Sequence, residues 1–187
     1  MTAATLVGSK LTVYAEDAPE RPEIVTTDGA EIARLLAERG VRFERWTTER
    51  ELEAGADSAA VLAAYATSVK RVQAEGGYLT VDVIRLPKGT PDTAPMRAKF
   101  LAEHLHTEDE VRFFVEGSGA FYLHLGAKIY QVICVRGDLI SVPANTQHWF
   151  DMGPDPEFTA IRFFNNVEGW VAQYSGSDIA ARFPKYE

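Results

Sequence analysis

Apolar residues recur at helical spacing in much of the first part of the chain and at strand spacing in the rest, with the change near Tyr78. A short strand-like start, KLTVYAED, precedes TTDGAEIARLLAERG, where Asp28 is placed to cap a helix, Glu31 follows three residues later and Gly40 is the stop. VRFERW (41–46) reads as extended, and DSAAVLAAYATSVKRVQAEGG (57–77) has an alanine-rich helical period ending at paired glycines. Residues 1–77 are therefore expected to be mixed α and β.

From Tyr78 onward the chain breaks into short apolar or alternating runs separated by turn residues: YLTVDVIRL, EVRFFVEG, GAFYLHL, AKIYQVICV, DLISVP, residues 146–150 and EFTAIRFF. This spacing predicts an antiparallel barrel or sandwich. PMRAKFLAEH (95–104) is the exception and reads as a short helix. No repeat, low-complexity tract or linker divides the chain. The expected architecture is mainly β, a double-stranded β-helix of jelly-roll type, with the N-terminal helices packed outside and residues 78–187 forming the barrel of one domain spanning 1–187.

A chain of 187 residues is long enough for one substantial core. Apolar residues at 46% and charged residues at 25% match ordinary globular proteins and argue against disorder. Lys and Arg total 19 against 27 Asp and Glu, a net charge of −8 with no basic cluster, so nucleic acid is not an expected partner. No apolar run approaches the roughly 18–20 residues of a membrane span, and the start, MTAATLVGSKLTVYAED, lacks the pattern of an export signal. The single cysteine, Cys134, lies in an apolar stretch and reads as a core residue of a reducing compartment, so a cytoplasmic location is expected.

Candidate chemistry concentrates in HLHTEDEVRFFVEG (104–117) and GDLISVPANTQHWFDMG (137–153), which hold three of the four histidines. In extended backbone His104 and His106 share a face, and a turn through Thr107 to Asp109 can return Glu110 beside them. His148 lies at a separation that suits hairpin-linked strands returning across a barrel. Together these residues would offer three nitrogens and one oxygen, a mixture that iron, nickel, cobalt and manganese accept, whereas zinc usually stops at four tetrahedral ligands. A His-x-His pair alone is common on surface strands; the combination with Glu110 and His148 is what points to a metal.

Strand parity places Glu110, Arg112 and Phe114 on one face, so Arg112 is aimed at the same interior as the candidate ligands. It fits either an ion pair with a structural carboxylate or the reception of an anionic substrate. Arg162, a charge within the apolar run FTAIRFF, invites the same two readings. Phe150 shares the parity of His148 and lines the interior, against substrate or as core, while Trp149 faces away. His124 alternates with Tyr122 and reads as a hydrogen-bonded barrel residue rather than a ligand.

Glu110 followed by Gly117, and Gly137 followed by Pro143 and His148, resemble the two-part signature of the cupin superfamily, with Asn145 standing where many cupins have glycine. Over EDEVRFFVEGSGAFYLH (108–124), DLISVPANTQHWFDMGPDPEFTAIRFF (138–164) and EGWVAQYSGSDIA (168–180) the chain resembles more narrowly the bacterial acireductone dioxygenases of the methionine salvage pathway. Leu105 departs from the polar residue expected between the two histidines, but points away from the site.

The resemblance implies one Fe(II) or Ni(II) per chain, with Co or Mn as substitutes, held by His104, His106, Glu110 and His148, with two adjacent positions left for the enediol oxygens of the substrate. It further implies that Arg112 and Arg162 stabilise the anionic substrate and that Phe100, Phe150 and Trp170 shape its pocket. The implied reaction is cleavage of 1,2-dihydroxy-3-keto-5-methylthiopentene by O2, with different products for iron and for nickel or cobalt, in a protein acting as a monomer on a small molecule. Two other readings remain open on the residues alone. One is a cupin enzyme with another substrate; the other is a cupin module that binds a small molecule and consumes no oxygen.

Overall fold

The computed structural model describes residues 8–47, 52, 53, 55–166 and 171–187. In chain order its elements are β1 (Lys10–Ala15), β2 (Pro22–Thr26), α1 (Gly29–Ala37), β3 (Arg42–Arg45), α2 (Ser58–Ala64), α3 (Ala66–Gly76), β4 (Thr80–Leu86) and α4 (Thr93–Phe100). Then follow β5 (His104–Leu105), β6 (Glu110–His124), β7 (Lys128–Val135), β8 (Asp138–Val142), β9 (His148–Asp151), β10 (Phe158–Phe164), β11 (Gln173–Tyr174) and a 3-10 turn (Ile179–Arg182).

The strands build two antiparallel layers joined by β6. One runs β11-β5-β9-β6-β7-β1-β2 and the other β4-β10-β6-β8-β3. The first half of β6 pairs with β8 and β10, the second half with β7 and β9. Gly117, at φ +67°, marks the crossing, and a Cβ there would lie 1.8 Å from the Glu157 carbonyl oxygen. Only glycine combines that close approach with a left-handed backbone.

Just before Gly117 the ladder to β10 slips. Thr159 pairs with Glu116 and Ala160 with Phe114, so Val115 is the extra residue of a bulge. The consequence is a change of parity. Phe114 belongs to the barrel-interior cluster while Val111, Phe113 and Val115 face outward; beyond the bulge Phe121 and Leu123 are interior and Ala120 and Tyr122 exterior.

Three apolar clusters follow from this alternation. The barrel interior holds Leu11, Val13, Phe114, Phe121, Leu123, Val132, Cys134, Ile140 and Phe150, and Ile32 and Leu36 of α1 join it. Outside the second layer, α2 and α3 bring Val61, Tyr65, Val69 and Val72 onto Val111, Phe113, Ile161 and Phe163. Outside the first, Ile179 and Phe183 cover Tyr14, Tyr122 and Trp149, with Trp149 stacked on Tyr122 at 5.0 Å. Each large side chain buried in this way contributes about 1.5–3 kcal/mol.

The structure refines several expected elements. Asp28 does cap α1, its carboxylate accepting from the Glu31 backbone N–H at 2.8 Å. The Glu31 carboxylate binds the Thr26 hydroxyl instead of the cap residue's own N–H. The helix expected over 57–77 is two helices broken at Tyr65, whose backbone leaves the helical region while its ring packs edge-on against Phe113. The helix expected over 95–104 is shorter at its end, because residues from His104 join the β-ladder. β2 was not expected; its residues are mostly exposed, so they carry no alternating apolar signal. Strands β1, β2 and β3, from the first 77 residues, extend both layers.

Candidate metal centre

β5, β6 and β9 meet at one end of the first layer, and each supplies part of the site. His104 lies opposite His148 in the β5–β9 ladder, and His148 lies opposite Leu123 of β6. The turn between His106 and Glu110 is pinned to the loop before β9: the Asp109 carboxylate accepts from the Ala144 N–H at 2.9 Å, and the Asn145 N–H donates to the His106 carbonyl at 2.7 Å. Asn145 has φ +62°, a left-handed conformation that asparagine tolerates, which accounts for its place where many cupins carry glycine.

His104, His106, Glu110 and His148 are thereby brought together, with one donor atom of each within 4.8 Å of all the others. All four are at most 6% exposed. The histidine Nδ1 atoms lie 2.7, 3.0 and 2.8 Å from the carbonyl oxygens of Ala102, Val171 and Thr146 respectively. A carbonyl only accepts, so each Nδ1 donates to it and each Nε2 is left facing the common centre, where it can ligate a cation once any proton shared with Glu110 is displaced.

The Glu110 Oε2 atom lies 3.0 Å from His106 Nε2 and 3.1 Å from His148 Nε2. A divalent first-row ion with bonds of about 2.1 Å sets adjacent ligands of an octahedron about 3 Å apart, so Glu110 is spaced from His106 and from His148 as neighbouring ligands of such an ion would be.

Electrostatics favour the same use. Burial holds His104 down to about 4, so its imidazole is neutral. Burial also opposes charge on His106, but the hydrogen bond and charge of Glu110 outweigh it and raise the pKa. Burial would raise the Glu110 pKa, yet Arg112, followed by His106 and His148, holds it well below the usual carboxylate range. Glu110 is thus an anion, and a cation binding there displaces any proton that His106 retains.

A cavity of about 620 Å³ opens in front of His104, His106 and Glu110. Arg112 reaches into it from β6, its Nε donating to Glu110 Oε1 at 2.8 Å and its guanidinium lying 4.8 Å from the centre of the Phe150 ring. Arg162 of β10 lies directly across the ladder from Arg112, and Asp82 of β4 lies across from Arg162. Arg162 donates to both Asp82 oxygens, at 2.8 and 2.6 Å. The charges therefore run Glu110, Arg112, Arg162, Asp82, with the two arginines neighbours and a carboxylate paired to each from the far side.

Phe100 and Phe150 line the cavity with ring centres 6.5 Å apart. Trp170 lies outside the described residues. His124 is not brought to the site; its Nδ1 is 2.7 Å from the buried Glu103 carboxylate. Sequence reasoning missed Asp82, Val171 and Tyr174. Asp82 was detectable, as a charge within the apolar run YLTVDVIRL. Val171 acts through its carbonyl, so its side chain gave no signal.

The model of the ARD/ARD' family matches residues 10–172 of the chain. An acireductone dioxygenase of a Synechococcus strain is 61% identical over 175 residues, covering 93% of this chain and 97% of that protein. One from Pseudomonas aeruginosa is 56% identical over 179 residues, covering 96% and 99%. Among solved structures, the acireductone dioxygenase from Bacillus anthracis with a cadmium ion in its active centre matches with a TM-score of 0.77 at 31% identity, over 91% of this chain and 100% of that one.

Proposed function

Because the chain belongs to the ARD/ARD' family of acireductone dioxygenases and is an oxygen-using enzyme, we propose that its substrate is 1,2-dihydroxy-3-keto-5-methylthiopentene, cleaved by O2 in methionine salvage. The supporting observation is the convergence of His104, His106, Glu110 and His148 on one centre, the first three of them lining a cavity that Arg112 and Arg162 also line. One Fe(II) or Ni(II) per chain held by these four residues, with Co or Mn as substitutes, supplies a Lewis acid for an electron-rich enediolate. The cadmium ion in the Bacillus anthracis relative supports a divalent ion here.

The chain's own side chains do the binding and orienting. Arg112 is held by Glu110 and by the Phe150 and Phe121 rings, so its guanidinium is oriented before substrate arrives. Arg162 is held in the same way by Asp82. Both guanidinium groups offer planar donors to anionic substrate oxygens. Phe100 and Phe150 give the thioether tail an apolar surface, and Trp170 is assigned the same role on sequence alone. The protein is proposed to act as a cytoplasmic monomer with no nucleic-acid or membrane partner; light scattering on the purified chain tests the monomer.

The test is to prepare the metal-free protein anaerobically, reload it separately with Fe(II) and Ni(II), and supply acireductone and O2. The iron form is expected to yield 4-methylthio-2-oxobutanoate and formate. The nickel form, like cobalt, is expected to yield 3-methylthiopropionate, formate and carbon monoxide. No oxygen uptake with either ion would overturn the reading.

A further inference from the structure

We propose that Glu103 and Ser175 are positioning residues that latch the segment 171–175 over the metal centre and so govern how slowly the bound ion escapes. The segment touches the site at two points. The Val171 carbonyl fixes the tautomer of His106 at 3.0 Å, and the Tyr174 ring packs edge-on against the His104 ring at 5.8 Å. By itself it is weakly attached. β11 has two residues, both exposed, and pairs only with the two-residue β5.

What strengthens the attachment is a buried carboxylate. Glu103, at 2% exposure, accepts the Ser175 hydroxyl at 2.6 Å, and its carbonyl accepts the Ser175 N–H at 3.1 Å. Its second oxygen faces His124 Nδ1 at 2.7 Å, and His124 Nε2 lies 3.5 Å from Glu16. The latch is therefore anchored to the ends of β6 and β1. A hydrogen bond to a charged group is among the stronger ones, so its loss raises the open fraction of the segment by about tenfold. Opening withdraws the carbonyl that orients His106, and a mis-set ligand releases its ion faster.

The inference rests on the metal-centre reading, and one experiment separates the two. The full chain loaded with Ni(II) is challenged with excess of a colorimetric chelator, and release is timed for the parent, Ser175→Ala and Ser175→Thr. Ser175→Ala is expected to release nickel about tenfold faster, while Ser175→Thr, which keeps the hydroxyl, stays within about twofold of the parent. Deuterium exchange of the metal-free protein provides a second readout, with faster exchange over 173–177 expected in Ser175→Ala alone. Equal release rates for all three chains overturn the latch and leave the metal centre standing. A parent chain that retains no nickel overturns both.

Discussion

Replacing Arg112 by methionine isolates the charge that Glu110 depends on. Arg112 Nε and Glu110 Oε1 are 2.8 Å apart, with side-chain exposures of 6% and 3%. Methionine has nearly the length of the arginine stem and can fill apolar space beside Phe121 and Phe150, though it gives up the guanidinium's cation–π contacts with both rings. The main loss is therefore the compensating cation, and breaking a buried pair from one side costs about 3–5 kcal/mol. In a protein of this size each kcal/mol moves the melting temperature by about 2–4 °C, so metal-free Arg112→Met should melt roughly 6–20 °C lower.

A divalent ion compensates the same carboxylate, so loading with metal should recover much of that difference. Glu110→Gln should also destabilise the metal-free protein, since it leaves Arg112 buried without its anion, and the double variant should be less damaged than the two single losses added together. Calorimetry of the four chains with and without metal measures all of these terms. A metal-free Arg112→Met melting within about 2 °C of the parent would refute the reasoning.

Three further outcomes follow from other parts of the fold. His148→Ala removes one Nε2 donor and should weaken metal binding by more than about a hundredfold, read by metal analysis after dialysis; a full complement of metal would exclude His148 as a ligand. Gly117→Ala drives a Cβ into the Glu157 carbonyl at a left-handed backbone position and should cost roughly 2–4 kcal/mol in urea unfolding, whereas an unchanged midpoint would contradict the described crossing. Burial would raise the pKa of Glu44, but hydrogen bonds from Arg71, Trp46 and Arg42 outweigh it and lower the pKa from 4.5 to about 2. Its folded pKa lies below the unfolded one, so its contribution is present above pH 4.5 and fades as pH falls towards about 2. After solvent screening it amounts to about 1–2 kcal/mol, and Glu44→Gln should flatten the acid limb of stability against pH by that amount.

The alternation of β6 explains what could be read from the chain and what could not. Glu110, Arg112 and Phe114 keep strict period two, so their common inward face was legible from residue order. The parity change at Val115 was not, because nothing in FFVEGSG distinguishes an inserted residue from a regular one; the partner strand defines it. His104, His106 and His148 were legible as a group because few other residue types place a nitrogen donor inside a barrel. Their tautomers were not, since the carbonyls of Ala102, Val171 and Thr146 belong to residues whose identity is immaterial to that bond. The break at Tyr65 was hidden for a similar reason: the sequence around it has high helix propensity, and the packing of the ring on Phe113 lies outside local preference.

Membership of β6 in both layers has a mechanical consequence. Neither layer keeps its ladder if this strand is withdrawn: the first would lose the link between β9 and β7, the second that between β10 and β8. Loss of order cannot then be confined to one half of the barrel. Strain entering at the β1–β2 edge passes across β7 to β6, and β6 carries it on to Glu110 at its own start.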